Sequence, residues 1–234
     1  MKVFLCTFIV FSTLISATMK NTSPMLLKYL IREPKVKSAH PSLLILLHGV
    51  GGNQADLFSF ANQLPDKYLV ISAQAPILLG ENRFAWYQVD FSTGKPVFNF
   101  EQEEKSRKII IDFIEALKEK YGVDSHEIYL CGFSQGAIMS YSVALTRPDL
   151  VKGIAIMSGR LLEEIKPQIV PKEKLSHLKI YISHGSSDNT LPIQYAISAN
   201  AFLQTVGCTP IFNQYNAGHS INNEMLNDLL NWLK

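Results

Sequence analysis

The sequence predicts an α/β sandwich, a mostly parallel central sheet flanked by helices on both faces, and three observations carry that prediction. Short continuous apolar runs recur along the chain, as expected of strands buried on both sides. Segments with helical periodicity alternate with them. No internal repeat, low-complexity tract or obvious linker breaks the alternation. With 234 residues, 47% of them hydrophobic and 18% charged, the chain can bury one substantial core.

The runs at residues 43–47, 69–71, 128–130, 154–157 and 180–182 are the expected strands, with a further extended segment at 211–215. Ile110, Phe113, Ile114, Leu117 and Tyr121 recur at the spacing of one helix face, and Gly122 follows where a C-terminal cap belongs. Residues 135–146 read as a second helix, and Arg147-Pro148 ends it. Val206-Gly207 ends another, and Met225, Leu229, Trp232 and Leu233 mark a final helix.

Composition excludes several functions. Lys plus Arg number 22 against 20 Asp plus Glu, a net charge of +2, and no basic block could neutralise a row of phosphates, so nucleic acid is not an expected partner. The three cysteines, Cys6, Cys131 and Cys208, show no disulfide framework and no metal or redox spacing.

At the start, Lys2 leads an apolar run from Val3 to Ile15 that ends in Ser16-Ala17. That order reads as an export signal, cleaved after residue 17, and the run is too short to span a bilayer comfortably. Residues 18–26 then read as a linker and 27–234 as the one folded domain. The competing reading starts the chain at Met19 or Met25 and keeps the protein in the cytoplasm.

A parallel sheet presents its functional groups on loops at the carboxyl ends of its strands. After the run at 128–130 comes Cys131-Gly132-Phe133-Ser134-Gln135-Gly136, a G-x-S-x-G pattern between a strand and a helix. A strained turn there lifts Ser134 out of both elements. Serine is a weak nucleophile at neutral pH and needs a base, which in turn needs a carboxylate to fix its tautomer. Chain order and placement after later strands select Asp188 and His219. The oxyanion would be held by the N–H of Gln135, at a helix start, and by that of Val50, in the Gly-rich loop His48-Gly49-Val50-Gly51-Gly52-Asn53. That loop lacks the dinucleotide spacing and the Walker lysine of phosphate cradles.

Taken together, His48-Gly49-Val50-Gly51-Gly52, Ala85-Trp86-Tyr87, Gly132-Phe133-Ser134-Gln135-Gly136, Ser158-Gly159, His184-Gly185 with Asp188, and Gly218-His219 resemble the phospholipase and carboxylesterase family of α/β hydrolases, which includes the acyl-protein thioesterases. The resemblance runs from about Leu27 to the C-terminus. It implies an α/β-hydrolase fold, triad roles for Ser134, Asp188 and His219, oxyanion roles for Val50 and Gln135, and chemistry without metal or cofactor. The apparent export signal departs from the family's usual cytoplasmic setting.

Residues 75–100 carry Phe84, Trp86, Tyr87, Phe91, Phe98 and Phe100 among Pro and Gly, which reads either as an aromatic wall for an acyl groove or as core filling under a long loop. Trp86 is the family match and is assigned to substrate. Gly159, Arg160, Leu161 and Leu162 follow another strand end and are expected to line the same groove, with Leu161 in contact with substrate. There is little length for a large lid, so the expected substrates are short- to medium-chain esters, thioesters, lysophospholipids or acylated molecules. A serine peptidase on the same fold and a catalytically silent binding module remain as alternatives.

Overall fold

The structure is a computed structural model and describes residues 27–90, 92 and 97–234. The expected signal and linker at 1–26 lie outside the described residues, as does Phe91. The strands of the main sheet are β1 (Tyr29–Arg32), β2 (Ser42–Leu47), β3 (Tyr68–Ala73), β8 (Ile128–Phe133), β9 (Gly153–Met157), β10 (Lys179–Gly185) and β11 (Ile211–Tyr215). Between β3 and β8 lie four short strands, β4 (Ile77–Gly80), β5 (Arg83–Ala85), β6 (Val89–Asp90) and β7 (Val97–Phe98). The α-helices are α1 (Ala55–Phe58), α2 (Phe100–Tyr121), α3 (Gln135–Thr146), α4 (Gln194–Thr205) and α5 (Asn223–Trp232).

The seven-stranded sheet runs β1-β3-β2-β8-β9-β10-β11. Only β1 is antiparallel to its neighbour; every other pair in this sheet is parallel. Alternation within a strand divides its residues between two cores. Leu43, Ile45 and Leu47 pack with Ile110, Phe113, Ile114 and Leu203, from α2 and α4, on one face. Leu44 and Leu46 pack with Leu57, Leu226 and Leu229, from α1 and α5, on the other. A strand wrapped on both sides must be apolar at successive positions, which explains the continuous runs.

The helix ends obey the chemistry of their caps. Asn99 accepts from the Gln102 N–H at 3.0 Å at the start of α2, and Gly122 closes it in the left-handed region at φ 60°. The Asn222 side chain accepts from the Met225 N–H at 2.8 Å at the start of α5.

Two features depart from the sequence expectation. The strands extend beyond their apolar runs: β10 continues through Ser183, His184 and Gly185, and β8 through Gly132 and Phe133. Backbone pairing with neighbours maintains a strand where side-chain character no longer signals it. Residues 75–100 are not one long loop, because β4 pairs with β5 and β6 with β7 in two small hairpins. Gly52 bridges to Phe84 and ties the first hairpin to the loop after β2.

Candidate active site

Four loops at the carboxyl ends of β2, β8, β10 and β11 meet above the middle of the sheet. Ser134 stands between β8 and α3 with φ 53° and ψ −116°, a conformation that costs a non-glycine residue about 1–3 kcal/mol. Two glycines make that turn possible. A Cβ on Gly132 would collide with the backbone of Gly136, and one on Gly136 would collide with the Leu47 carbonyl at the end of β2. The Ser134 N–H donates to the Met157 carbonyl at 2.9 Å, which fixes the turn to β9.

The structure brings together the three side chains selected from the sequence. Ser134 Oγ lies 2.9 Å from His219 Nε2, and His219 Nδ1 lies 2.7 Å from an oxygen of Asp188. The other Asp188 oxygen accepts from the N–H groups of Thr190 and Leu191 at 2.9 and 2.8 Å. That carboxylate is fully buried, while His219 keeps a partly exposed edge. The backbone joins the acid loop to the histidine loop, since Ser186 N–H donates to the Tyr215 carbonyl and Ser187 N–H to that of Ala217. A Cβ at Gly185 would strike Ala217 and Gly218, so the close approach that delivers His219 requires a glycine there. Two other acids that follow Ser134 in the chain are engaged elsewhere: Asp149 pairs with Arg147 and Asp228 accepts from Tyr215.

Val50 and Gln135 both line the cavity at Ser134. Among the described residues neither backbone N–H donates to a protein group, which leaves both free for an oxyanion. Their loop is held by groups that the sequence pattern does not mark as functional. The Ala75 N–H donates to His48 Nε2 at 3.0 Å, so His48 Nδ1 carries the proton given to the Gly49 carbonyl at 2.7 Å. Burial lowers the His48 pKa and favours this neutral form. The Gln135 side chain accepts from the Trp86 N–H at 2.8 Å and donates to the Tyr87 carbonyl at 2.7 Å. Gln135 thus clamps the Trp86-Tyr87 backbone with both ends of its amide. The sequence signal for this clamp is the glutamine itself, directly after the serine.

Two residues assigned to substrate do not line the Ser134 cavity. Trp86 is fully buried and does not line the Ser134 cavity; its indole N–H donates to the His48 carbonyl at 3.0 Å, turning the ring beneath the Gly-rich loop. Its neighbour Tyr87 lines the cavity instead. Leu161 packs into the core and faces an adjoining cavity of about 520 Å³, whereas Arg160 lines both that space and the Ser134 cavity. The Ser134 cavity measures about 280 Å³, with Val89, Ile138, Leu191 and Pro192 among its apolar walls. No cluster of three or more metal-ligating side chains occurs among the described residues.

Residues 30–234 match the family model described as Phospholipase/Carboxylesterase. The chain belongs to that family. A probable carboxylesterase, SOBER1-like, from Arabidopsis thaliana is 35% identical over 48% of this chain and 44% of its own length. The chain spans about half the length of the first plant carboxylesterases it matches. Acyl-protein thioesterase 1 of Yarrowia lipolytica is 26% identical over 85% of this chain and 93% of the relative. Among solved structures, the Bacillus cereus carboxylesterase superposes with a TM-score of 0.76 at 20% identity, covering 88% of this chain and 93% of that one. This neighbour shares the fold of the chain.

Proposed function

We propose that this phospholipase/carboxylesterase-family protein hydrolyses carboxylic esters or thioesters through an acyl-enzyme on Ser134. The observation that carries the proposal is the Ser134–His219–Asp188 hydrogen-bond chain beside two backbone N–H groups that have no partner among the described residues.

In the first half-reaction Ser134 Oγ attacks the acyl carbon while His219 Nε2 takes its proton, and Asp188 stabilises the imidazolium. The N–H groups of Val50 and Gln135 hold the oxyanion. Collapse of the tetrahedral intermediate breaks the bond to the leaving alcohol or thiol, which takes the proton from His219. Water then adds to the acyl-enzyme with His219 as base, and the acid departs as Ser134 regains its proton. Having the nucleophile, base and donors in place before substrate arrives lowers the reorganisation the reaction needs.

A cavity of about 280 Å³ lies at the small end of ligand sites and supports short- to medium-chain acyl groups. Lysophospholipids and acylated proteins are finer candidates within the same class. The Lys2-led apolar run supports export of the mature chain, which N-terminal sequencing of the processed protein checks.

Ser134→Ala tests the central claim. It should lower kcat on short-chain p-nitrophenyl esters by about 10⁴-fold or more and abolish labelling by a fluorophosphonate probe. Near-normal turnover in that variant rejects the assignment, and faster cleavage of a peptide panel than of the esters transfers it to a peptidase.

A further inference from the structure

Arg160 is the sole Asp, Glu, Lys or Arg among the residues lining the Ser134 cavity. It comes after β9 by way of Ser158, which holds φ 49°. The guanidinium carbon lies 5.3 Å from the Phe98 ring centroid and 5.4 Å from that of Tyr195. Two aromatic contacts favour the cation and restrict its orientation. They satisfy none of its N–H groups, however. Arg160 Nε is buried without a hydrogen-bond partner, and among the described residues no carboxylate forms an ion pair with this side chain. Residues 1–26, 91 and 93–96 contain no Asp or Glu, so no carboxylate lies outside the described residues. Glu163, in the adjoining cavity, is engaged by Lys166 at 2.8 Å.

A half-buried cation with donors unmet is costly unless something completes it. From this we propose that Arg160 is a specificity-determining residue that selects esters or thioesters bearing a carboxylate a few atoms from the scissile carbonyl. The inference rests on the hydrolase reading of the same site. A planar guanidinium presents parallel N–H donors that match the two oxygens of a carboxylate. Within the Ser134 cavity Arg160 supplies one positive charge, which balances a single carboxylate better than a doubly charged phosphate. A short substrate within this cavity of about 280 Å³ can place one end at Arg160 while the other is attacked by Ser134.

The test compares kcat/KM for the p-nitrophenyl monoester of glutaric acid with that for p-nitrophenyl hexanoate. A second pair places the carboxylate on the alcohol side, using butyrate esters of 4-hydroxyphenylacetic acid and of 4-ethylphenol. The charged-to-neutral ratio should favour the charged ester in at least one pair. In that pair it should fall by about 10- to 100-fold in Arg160→Gln and less in Arg160→Lys. Taking a ratio within each variant removes any general loss of active protein. A ratio that does not change on substitution in either pair overturns the proposal.

A second measurement needs no variant. In the unaltered protein, glutarate should slow fluorophosphonate labelling of Ser134 at concentrations where pentane-1,5-diol does not. Equal protection by both overturns the role of Arg160, whereas failure of the probe to label at all rejects the hydrolase reading instead.

Discussion

Replacing Gln135 with Glu exchanges one amide group for a carboxylate of almost the same shape, at a position where both ends of the amide are in use. The native amide accepts from the Trp86 N–H and donates to the Tyr87 carbonyl at 2.7 Å. In Gln135→Glu the accepting oxygen can remain, but the other oxygen faces a carbonyl as a second acceptor. The site is buried, so an ionised carboxylate there loses hydration and gains one hydrogen bond where it needs several. The expected cost is about 3 kcal/mol or more with the group ionised. For a chain of this size that lowers Tm by about 6–12 °C. Protonation restores a donor towards Tyr87, so the folded-state pKa of the new carboxyl is raised. A raised pKa makes stability present at low pH and lost as pH rises through the folded value. The difference in Tm between variant and parent should therefore be large at pH 8 and small at pH 5, measured by circular dichroism. A difference that does not depend on pH refutes the reasoning, because it removes the clamp on Tyr87 as its cause.

Asp188→Asn should keep the contacts to Thr190 and Leu191 but present an N–H to His219, placing the imidazole proton on the wrong nitrogen; kcat on a short aryl ester should fall by about 10⁴-fold with the melting curve little changed. Glu103 is buried, neither of its carboxyl oxygens has a partner within hydrogen-bond geometry among the described residues, and burial raises its pKa against the opposing pull of the nearby Ser142 hydroxyl, so the parent loses stability as pH rises above about 4.5. Glu103→Gln should be the more stable protein at pH 8 by about 1 kcal/mol or more, with the gain shrinking towards pH 4 in urea titrations. His48 has the opposite sign: burial lowers its pKa, so stability falls as pH drops below about 6.5, and His48→Gln, which gains no proton, should show a shallower acid limb in the same titrations. Gly136→Ala must push its new methyl into the Leu47 carbonyl and should cost about 3 kcal/mol or more, read as a lower urea midpoint.

The order of elements and the residues joined at Ser134 are legible in the sequence for different reasons. Strands such as β2 announce themselves because both faces are covered and the successive positions Leu43 to Leu47 are all apolar. Helix α2 does so through its periodicity and Gly122. Ser134, Asp188 and His219 emerge from chain order and from loops after strands, since the sheet fixes where those loops leave it. The hairpins of residues 77–98 are not legible, because strands of two to four residues carry too few alternations to show a period. Trp86 is misassigned from sequence for a related reason. An aromatic in a loop-like stretch has the same sequence signature whether its ring lines a groove or packs beneath one. What decides is the His48 carbonyl, 38 positions away in the chain, and no local pattern reports such a partner.

The two sides of the cavity consequently differ in how tightly the fold constrains them. On the oxyanion side nearly every group is committed: Trp86 and the His48 ring hold the Gly-rich loop, Gln135 holds Trp86 and Tyr87, and Gly136 meets the end of β2. A substitution there disturbs a chain of contacts that also supports the core, so it must change stability and turnover together. On the opposite side, Arg160 rests against two rings and binds no other group of the described protein. A side chain with so few obligations can change what is accepted without changing how it is cleaved. The separation assigns the reaction to backbone geometry that the fold cannot relax, and substrate choice to a cation that the fold leaves open.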